Sequence, residues 1–295
     1  KESDTVEIQS GFFNGFTTGT PLCARIVNSD QHSKDYSILA DKMRPGHADY
    51  AGHVRYQGFN DYRGGGHFSG RLTAPLVFAG AVAKQALAQH GIVVGSHILQ
   101  INDIKEERLN PMGVSDKVLA ELHAKKFAVM NDAVGKKMQE RILQAKSELN
   151  SVGGVIEAIA LHLPAGIGAP YFDSVESMLS HALFSVPAVK GVEFGDGFGF
   201  AGLTGAEAND ALHYVDGKVQ ALTNHNGGVT GGITNGMPLV VRVAIKPTPS
   251  IAREQQTVSL KEQADTTLAI VGRHDPCIVQ RAVPVIEAVV AWTLW

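Results

Sequence analysis

From Thr73 to His90 the chain reads TAPLVFAGAVAKQALAQH, with apolar side chains almost all round a helical wheel. That pattern predicts a central, buried helix. Thr73 is placed to cap it, Pro75 suits its first turn, and Gly91 is placed to close it. Further helices are predicted at 115–125 behind Ser115, 131–149 behind Asn131, 173–185 behind Asp173, and at the C-terminus after Pro284. Three β-branched runs bounded by Gly and Pro predict strands: GGVIEAIALHLP from Gly153, AVKGVEFG from Ala188 and MPLVVRVAIKP from Met237. Asp216-Gly217, inside YVDGKVQALT, predicts a hairpin turn. Helices and strands alternate irregularly, which favours an α+β fold over a regular parallel sheet. Without a Pro- or Ser-rich linker, residues 1–295 are expected to form a single domain.

Composition narrows the class. Of 295 residues, 44% are hydrophobic and 19% charged, enough apolar material for a large core. No apolar run reaches the roughly 18 residues that a membrane span needs, so a cytoplasmic protein is expected. A net charge of -3 argues against a nucleic-acid binder that relies on a basic surface, and confines any anion site to a local patch. Two cysteines, Cys23 and Cys277, form neither a disulfide framework nor a metal-ligand spacing. The 32 glycines exceed the average of about 7% and gather at 64–66, 153–154, 195–202 and 227–236, where backbone can turn sharply or approach a ligand.

The candidate chemistry lies mainly in MRPGHADYAGHVRYQGFNDYRGGGHFSGR, residues 43–71, with four arginines and three histidines. In RPGHAD the Pro45-Gly46 turn is expected to expose Arg44 and His47 together, a cation and a proton carrier suited to holding an anion while a proton moves. Arg63, His67, Ser69 and Arg71 follow within a few turns, and the last two sit just before the Thr73 helix, whose N-terminus attracts phosphate. KPTPSI (Lys246, Pro247, Thr248, Pro249, Ser250, Ile251) offers an amine and hydroxyls on a stiff segment, and GRHDPC sets Arg273, His274 and Asp275 in one turn. Taken alone, KPTPSI reads as a strand end and Asp275 as half of a structural ion pair. GFGFAG, Gly197 to Gly202, matches the dinucleotide fingerprint, but LTGAEANDALHY after it shows no clear apolar helical face. On local chemistry a nicotinamide oxidoreductase and a non-enzymatic flavin- or phosphate-binding module both stay open.

RPGHAD, DYRGGG, SGRLTA, SVGGVIE, VPAVKGVEFGDGF, GGVTGGITNGMP, KPTPSI and GRHDPC occur in this order, and together they resemble the chorismate synthase family throughout the chain. The resemblance implies an α+β sandwich of helices between antiparallel sheets, usually a cytoplasmic homotetramer. It implies a lyase that removes phosphate from 5-enolpyruvylshikimate-3-phosphate, requiring reduced FMN without net redox change. Arg44, Ser69, Arg71 and Arg273 match substrate-binding positions, and His47 and Asp275 match catalytic ones. Ser69, Ala188, Gly231, Lys246, Pro247, Thr248, Pro249, Ser250 and Arg273 match flavin-binding positions. His67, Phe68 and Leu72 depart from the family's RGGGRSSARETA. The family's Gly-Glu-Ser-His-Gly motif and an arginine cluster lie upstream of Lys1, so the chain is expected to lack its N-terminal segment.

Overall fold

The structure, a computed structural model, describes residues 4–28, 38–270 and 275–295. The chain opens with two small ladders, β1 (Val6–Ser10) with β4 (Cys23–Ile26), and β2 (Phe12–Phe13) with β3 (Phe16–Thr17). Helices α1 (Asp49–Arg55) and α2 (Thr73–Gln89) follow, joined by short 3-10 turns at Arg63–Phe68 and Gly70–Leu72. Next come β5 (Val93–Ile101), β6 (Ile104–Lys105), α3 (Asp116–Ala124), α4 (Asp132–Ser147) and β7 (Gly154–Leu161). Then α5 (Val175–Phe184), β8 (Val189–Phe194), a 3-10 turn at Gly197–Gly202 and α6 (Gly205–Ala208) lead to the hairpins β9 (Leu212–Val215) with β10 (Lys218–Ala221) and β11 (Val229–Thr230) with β12 (Ile233–Thr234). The chain closes with β13 (Leu239–Ile245), the hairpin β14 (Gln255–Ser259) with β15 (Ala264–Leu268), and α7 (Val279–Leu294).

The centre is a five-stranded antiparallel sheet in the order β6-β5-β7-β13-β8. Because strand side chains alternate, its two faces bury different sets. Ile156, Ala158 and Ala160 of β7 join Leu239, Val241 and Val243 of β13 in the large core that α2, α4, α5 and α7 cover. Ile159, Leu161 and Val240 point the other way, into a smaller core with Leu119 and Leu122 of α3. Helices with antiparallel sheets make the fold α+β, as the resemblance implies.

Caps and turns account for most boundaries. The Asn131 side chain accepts the Ala133 and Val134 amides and starts α4. At the end of α2, Gly91 takes a φ of 73°, its N–H reaches the Ala88 carbonyl and that of Ile92 reaches Leu87, the paired bonds of a Schellman stop. Asp216 and Gly217, with φ of 49° and 76°, make the tight hairpin turn that joins β9 to β10.

The structure corrects other expectations. Thr73 does not cap α2: its hydroxyl donates to the Gly70 carbonyl, and Leu72 is the cap residue, because a 3-10 turn already leads into the helix. Ser174, not Asp173, caps α5 by accepting the Ser177 amide. The last helix starts at Val279 and contains Pro284, whose missing N–H faces the exposed side, where water can satisfy the freed Gln280 carbonyl. Nor is α2 buried all round. It buries Gly80, Ala83 and Leu87 and leaves Ala81, Gln85 and Ala88 exposed; an alanine-rich wheel reads as apolar on every side without demanding burial. Its seam is close, since a Cβ on Gly80 would overlap the Cα of Ala288 on α7.

A row of charges crosses the face of the sheet on which α3 lies. His97, Glu157, Arg242 and Glu193 are register partners on β5, β7, β13 and β8. His97 Nε2 is 3.1 Å from Glu157 Oε1, Arg242 Nη1 donates to Glu157 Oε2 at 3.2 Å, and Arg242 Nε donates to Glu193 Oε1 at 2.6 Å. The Leu109 amide donates to Glu157 Oε1, and Arg242 Nη2 donates to the Gly195 carbonyl, so the row also holds the loops beyond the sheet. Glu106 Oε2 stands 3.8 Å from His97 Nδ1, too far for a hydrogen bond, and acts on the ring as a charge.

Candidate functional site

Antiparallel pairing brings the start of β7, the start of β8 and the end of β13 to one end of the sheet. From there KPTPSI leaves β13 and is stitched down on several sides. The Lys246 amide donates to the Ala188 carbonyl at 2.9 Å, and Ser151 Oγ donates to the Thr248 carbonyl at 2.7 Å. Ala188 itself sits at a φ of 73°, a left-handed conformation that a non-glycine residue adopts only where its surroundings demand it.

RPGHAD arrives at this end through β14. The Met43 amide donates to the Val258 carbonyl, Lys42 bridges Ser259, and Thr257 Oγ1 donates to the Met43 carbonyl. The Pro45-Gly46 turn forms as expected: the His47 amide reaches the Arg44 carbonyl, and Gly46 takes the φ of 71° that a turn of this kind reserves for glycine. It does not expose Arg44. That side chain is 8% exposed because Asp49 and Ser250 draw the guanidinium inward. Nε donates to Asp49 Oδ2 at 2.7 Å, Nη2 to Asp49 Oδ1 at 2.8 Å and Nη1 to Ser250 Oγ at 3.1 Å. Lys246 Nζ donates to the Gly46 carbonyl, and Pro249 packs beside Gly46. Segments 200 residues apart thus close on one another.

The glycine-rich turn completes the cluster. A Cβ built on Gly65 would lie 3.6 Å from Ser69 Cβ and 3.9 Å from His47 Nε2, so the ring edge of His47 faces this backbone. Ser69 Oγ accepts the Arg71 amide at 3.2 Å and sets the turn that leads into α2. Arg71 is exposed at that turn. Arg63 is held by its neighbour Asp61, whose carboxylate accepts Nε and Nη2, each at 2.8 Å. Phe68, one of the departures from the family pattern, packs on the α1 backbone: a Cβ on Gly52 would come within 2.7 Å of its ring. Its ring centroid lies 6.5 Å from that of Tyr56, so the aromatic side chain docks the turn onto α1. His67 and Leu72 are exposed.

Asp275 follows close to the same end. The Val152 amide donates to the Pro276 carbonyl at 2.8 Å, and the Ile270 amide donates to the Ile251 carbonyl at 3.2 Å, so both flanks of the GRHDPC loop are tied beside KPTPSI. Asp275 Oδ2 is 2.9 Å from Arg281 Nη1. Arg273 lies outside the described residues. Cys277 is buried, and its thiol is pushed up to about 11 by burial, which makes it inert.

Gly231 stands apart. It occupies the two-residue turn between β11 and β12 with Gly232, at φ of 60° and 83°, and this hairpin packs against Gly168 and Ser174. That is the opposite end of β13, roughly 20 Å away at about 3.3 Å per residue. GFGFAG is a 3-10 turn over Glu193, whose carboxylate accepts the Phe198 amide, and the helix after it is only Gly205–Ala208. A dinucleotide site of the fingerprint type needs a helix that this turn does not open.

Asp49 is the residue that the sequence reading passed over. Its carboxylate accepts Arg44 at Nε, Nη2 and the backbone N–H (3.0 Å), and His47 Nδ1 lies 2.6 Å from Oδ1. Burial pushes this carboxyl up, but the hydrogen bonds from Arg44 and His47 outweigh it and hold it far below the usual range. The His-x-Asp spacing inside RPGHAD was the available signal.

Known proteins share this arrangement of segments. The sequence profile described as Chorismate synthase matches residues 1–295. The chorismate synthase of Korarchaeum cryptofilum is 45% identical over 299 residues, covering 99% of this chain and 80% of its own length. That of Thermococcus gammatolerans is 47% identical over 294 residues, covering 100% of this chain and 81% of its own. A crystal structure of chorismate synthase superposes with a TM-score of 0.76 at 30% identity, over 99% of this chain and 77% of that one. With a whole-chain profile, near-half identity and a shared fold, the chain belongs to the chorismate synthase family.

Proposed function

We propose that the end of the sheet where RPGHAD, RGGG and KPTPSI converge is where this lyase eliminates phosphate from 5-enolpyruvylshikimate-3-phosphate to give chorismate. The observation that carries the reading is that convergence, with His47, Ser69, Lys246 and Ser250 drawn together by contacts spanning up to 206 residues of sequence. Reduced FMN, when bound, supplies transient electron density that lets phosphate leave without net redox change. The residues fit such a group: Thr248 Oγ1 is buried without a hydrogen-bond partner among the described residues. Lys246, Ser250 and Ser69 add polar groups suited to a phosphate and a polar ring. Ala188, Pro247 and Pro249 shape the backbone around them.

The chain's own residues have distinct tasks. Arg71 and Arg273 hold the anionic groups of the substrate and stabilise charge on the departing phosphate, and Arg44, buried against Asp49 and Ser250, lines the wall of the site. His47 holds and gives up a proton at Nε2, and Asp275 assists removal of the C6 proton. Gly231 matches a flavin-binding position by family resemblance alone, since this chain holds it at the opposite end of β13. The apolar side chains of Phe12, Phe13 and Phe16, 46 to 77% exposed, suit assembly as a homotetramer. No helix among the described residues is long and apolar enough to cross a membrane, in keeping with a cytoplasmic enzyme.

The test is an anaerobic phosphate-release assay with chemically reduced FMN. Turnover is expected to continue for many cycles after a single reduction; product that stops at one equivalent per flavin means the flavin is consumed as a reagent, contrary to this reading. In the same assay Arg71→Ala should weaken substrate binding by about 1.5 to 3 kcal/mol, the worth of a charge-assisted contact. Arg71→Lys should recover only part of it, lacking the planar fork. Unchanged substrate affinity in Arg71→Ala removes Arg71 from the site.

A further inference from the structure

We propose that Asp49 is a positioning residue that fixes the tautomer and orientation of His47, so that Nε2 is the atom that exchanges a proton with the site. This deepens the reading above and rests on His47 being the proton carrier.

The geometry leaves the imidazole little choice. Asp49 is 9% exposed, and its two oxygens meet four contacts, three from Arg44 and one from His47, so the carboxylate cannot swing away from the ring. A carboxylate only accepts, so His47 Nδ1, at 2.6 Å from Oδ1, must carry a hydrogen. Arg44 Nη2 also lies 3.1 Å from Nδ1, but a guanidinium only donates. One ring nitrogen cannot donate to Asp49 and accept from Arg44 at once; the shorter contact, to a full negative charge, decides the tautomer. Arg44 then serves as the clamp that holds Asp49 in place, and its closeness to Nδ1 is a consequence.

With Nδ1–H committed, the neutral ring presents a bare Nε2, and it presents it toward Gly65 and Ser69. When Nε2 takes a proton, the Asp49 charge remains beside the imidazolium, as in other carboxylate–histidine pairs. The free side chain favours the opposite tautomer, so the arrangement needs a reason, and Asp49 supplies it. Among the described residues, the charged groups that face the ring are Arg44 and Asp49; Lys246, close by, is engaged by the Gly46 carbonyl.

Long-range proton–nitrogen NMR of the 15N-histidine-labelled chain reads the tautomer directly, with His47 assigned by the signals lost in His47→Gln. In the parent chain, at a pH where the ring is neutral, Nδ1 is expected to be protonated and Nε2 bare. An Nε2–H tautomer in the parent overturns the proposal; the tautomer is read on the parent, and His47→Gln serves only to assign the signals. In Asp49→Asn the Nδ1–H population should fall, and turnover should drop roughly 10²-fold, with the substrate KM near normal. In the double variant with His47→Gln the two losses should not add; additive losses mean Asp49 acts elsewhere and sink the proposal. If His47→Gln alone leaves turnover intact, the catalytic reading of His47 fails, while the tautomer measurement still decides whether Asp49 orients the ring.

Discussion

Asp275→Asn should bind reduced FMN and substrate nearly normally, melt within a few degrees of the parent, and lose about 10²-fold or more in turnover. Asn keeps the size and much of the hydrogen bonding of Asp but cannot act as a base at neutral pH. The partner seen in the structure, Arg281, sharpens the expectation. The pair is 2.9 Å apart, but the side chains are 38% and 70% exposed, and ion pairs as open as this one contribute only about 0 to 1 kcal/mol. The fold therefore has little to lose. Both flanks of the loop are anchored through Val152 and Ile251, so substitution at one exposed carboxylate leaves the backbone in place. Melting temperature and turnover per folded molecule, measured on one preparation, separate the two roles. A destabilised variant with near-normal turnover would show that Asp275 serves the fold through Arg281 and takes no part in the chemistry.

Arg242→Met should cost about 3 to 5 kcal/mol of folding stability, read as a lower denaturant midpoint, because it leaves Glu157 and Glu193 without their buried cation. Met keeps most of the side-chain volume, so a cavity is not the cause. Adding Glu157→Gln should restore much of the loss, since it removes the carboxylate stranded by the first change. A loss below about 1 kcal/mol would mean that the row is not held together by its charges.

The same row predicts how stability follows pH. Burial pushes the Glu157 carboxyl up, but His97, the Leu109 amide and Arg242 outweigh it and hold it below its usual 4.5. A depressed carboxyl contributes stability above about 4.5, and that contribution fades as the pH falls through its folded value. For His97, burial favours the neutral ring, yet Glu106 and Glu157 hold the imidazolium above its usual 6.5. A raised histidine contributes fully below about 6.5 and loses its contribution as the pH rises through the folded value. The row is therefore strongest between about pH 4.5 and 6.5, and the deficit of Arg242→Met should shrink below that window as Glu157 takes up a proton.

Much of the scaffold was legible from short stretches. Asn131 starts α4, Gly91 stops α2, Asp216-Gly217 turns a hairpin, and the β-branched runs became β7, β8 and β13. Each of these depends on residues within one or two turns of chain, where propensity and capping act. The family motifs, taken in order, also named the lyase activity. The strand β5 was missed, because Gly95, Ser96 and His97 break its apolar run. Those polar residues are internal only because distant partners satisfy them: Ser96 Oγ donates to Glu287 at 2.9 Å, and His97 meets Glu157. Arg44 was expected at the surface for the same reason; Ser250, 206 residues away, helps to bury it. The placing of Gly231 at the far end of the sheet also came from tertiary structure alone, whereas the part of Asp49 beside His47 is local, within RPGHAD. A capped helix or a tight turn is decided by its own neighbours, whereas a polar group can be buried only beside the partner that satisfies it. Where that partner lies tens or hundreds of residues away, the folded chain alone determines it.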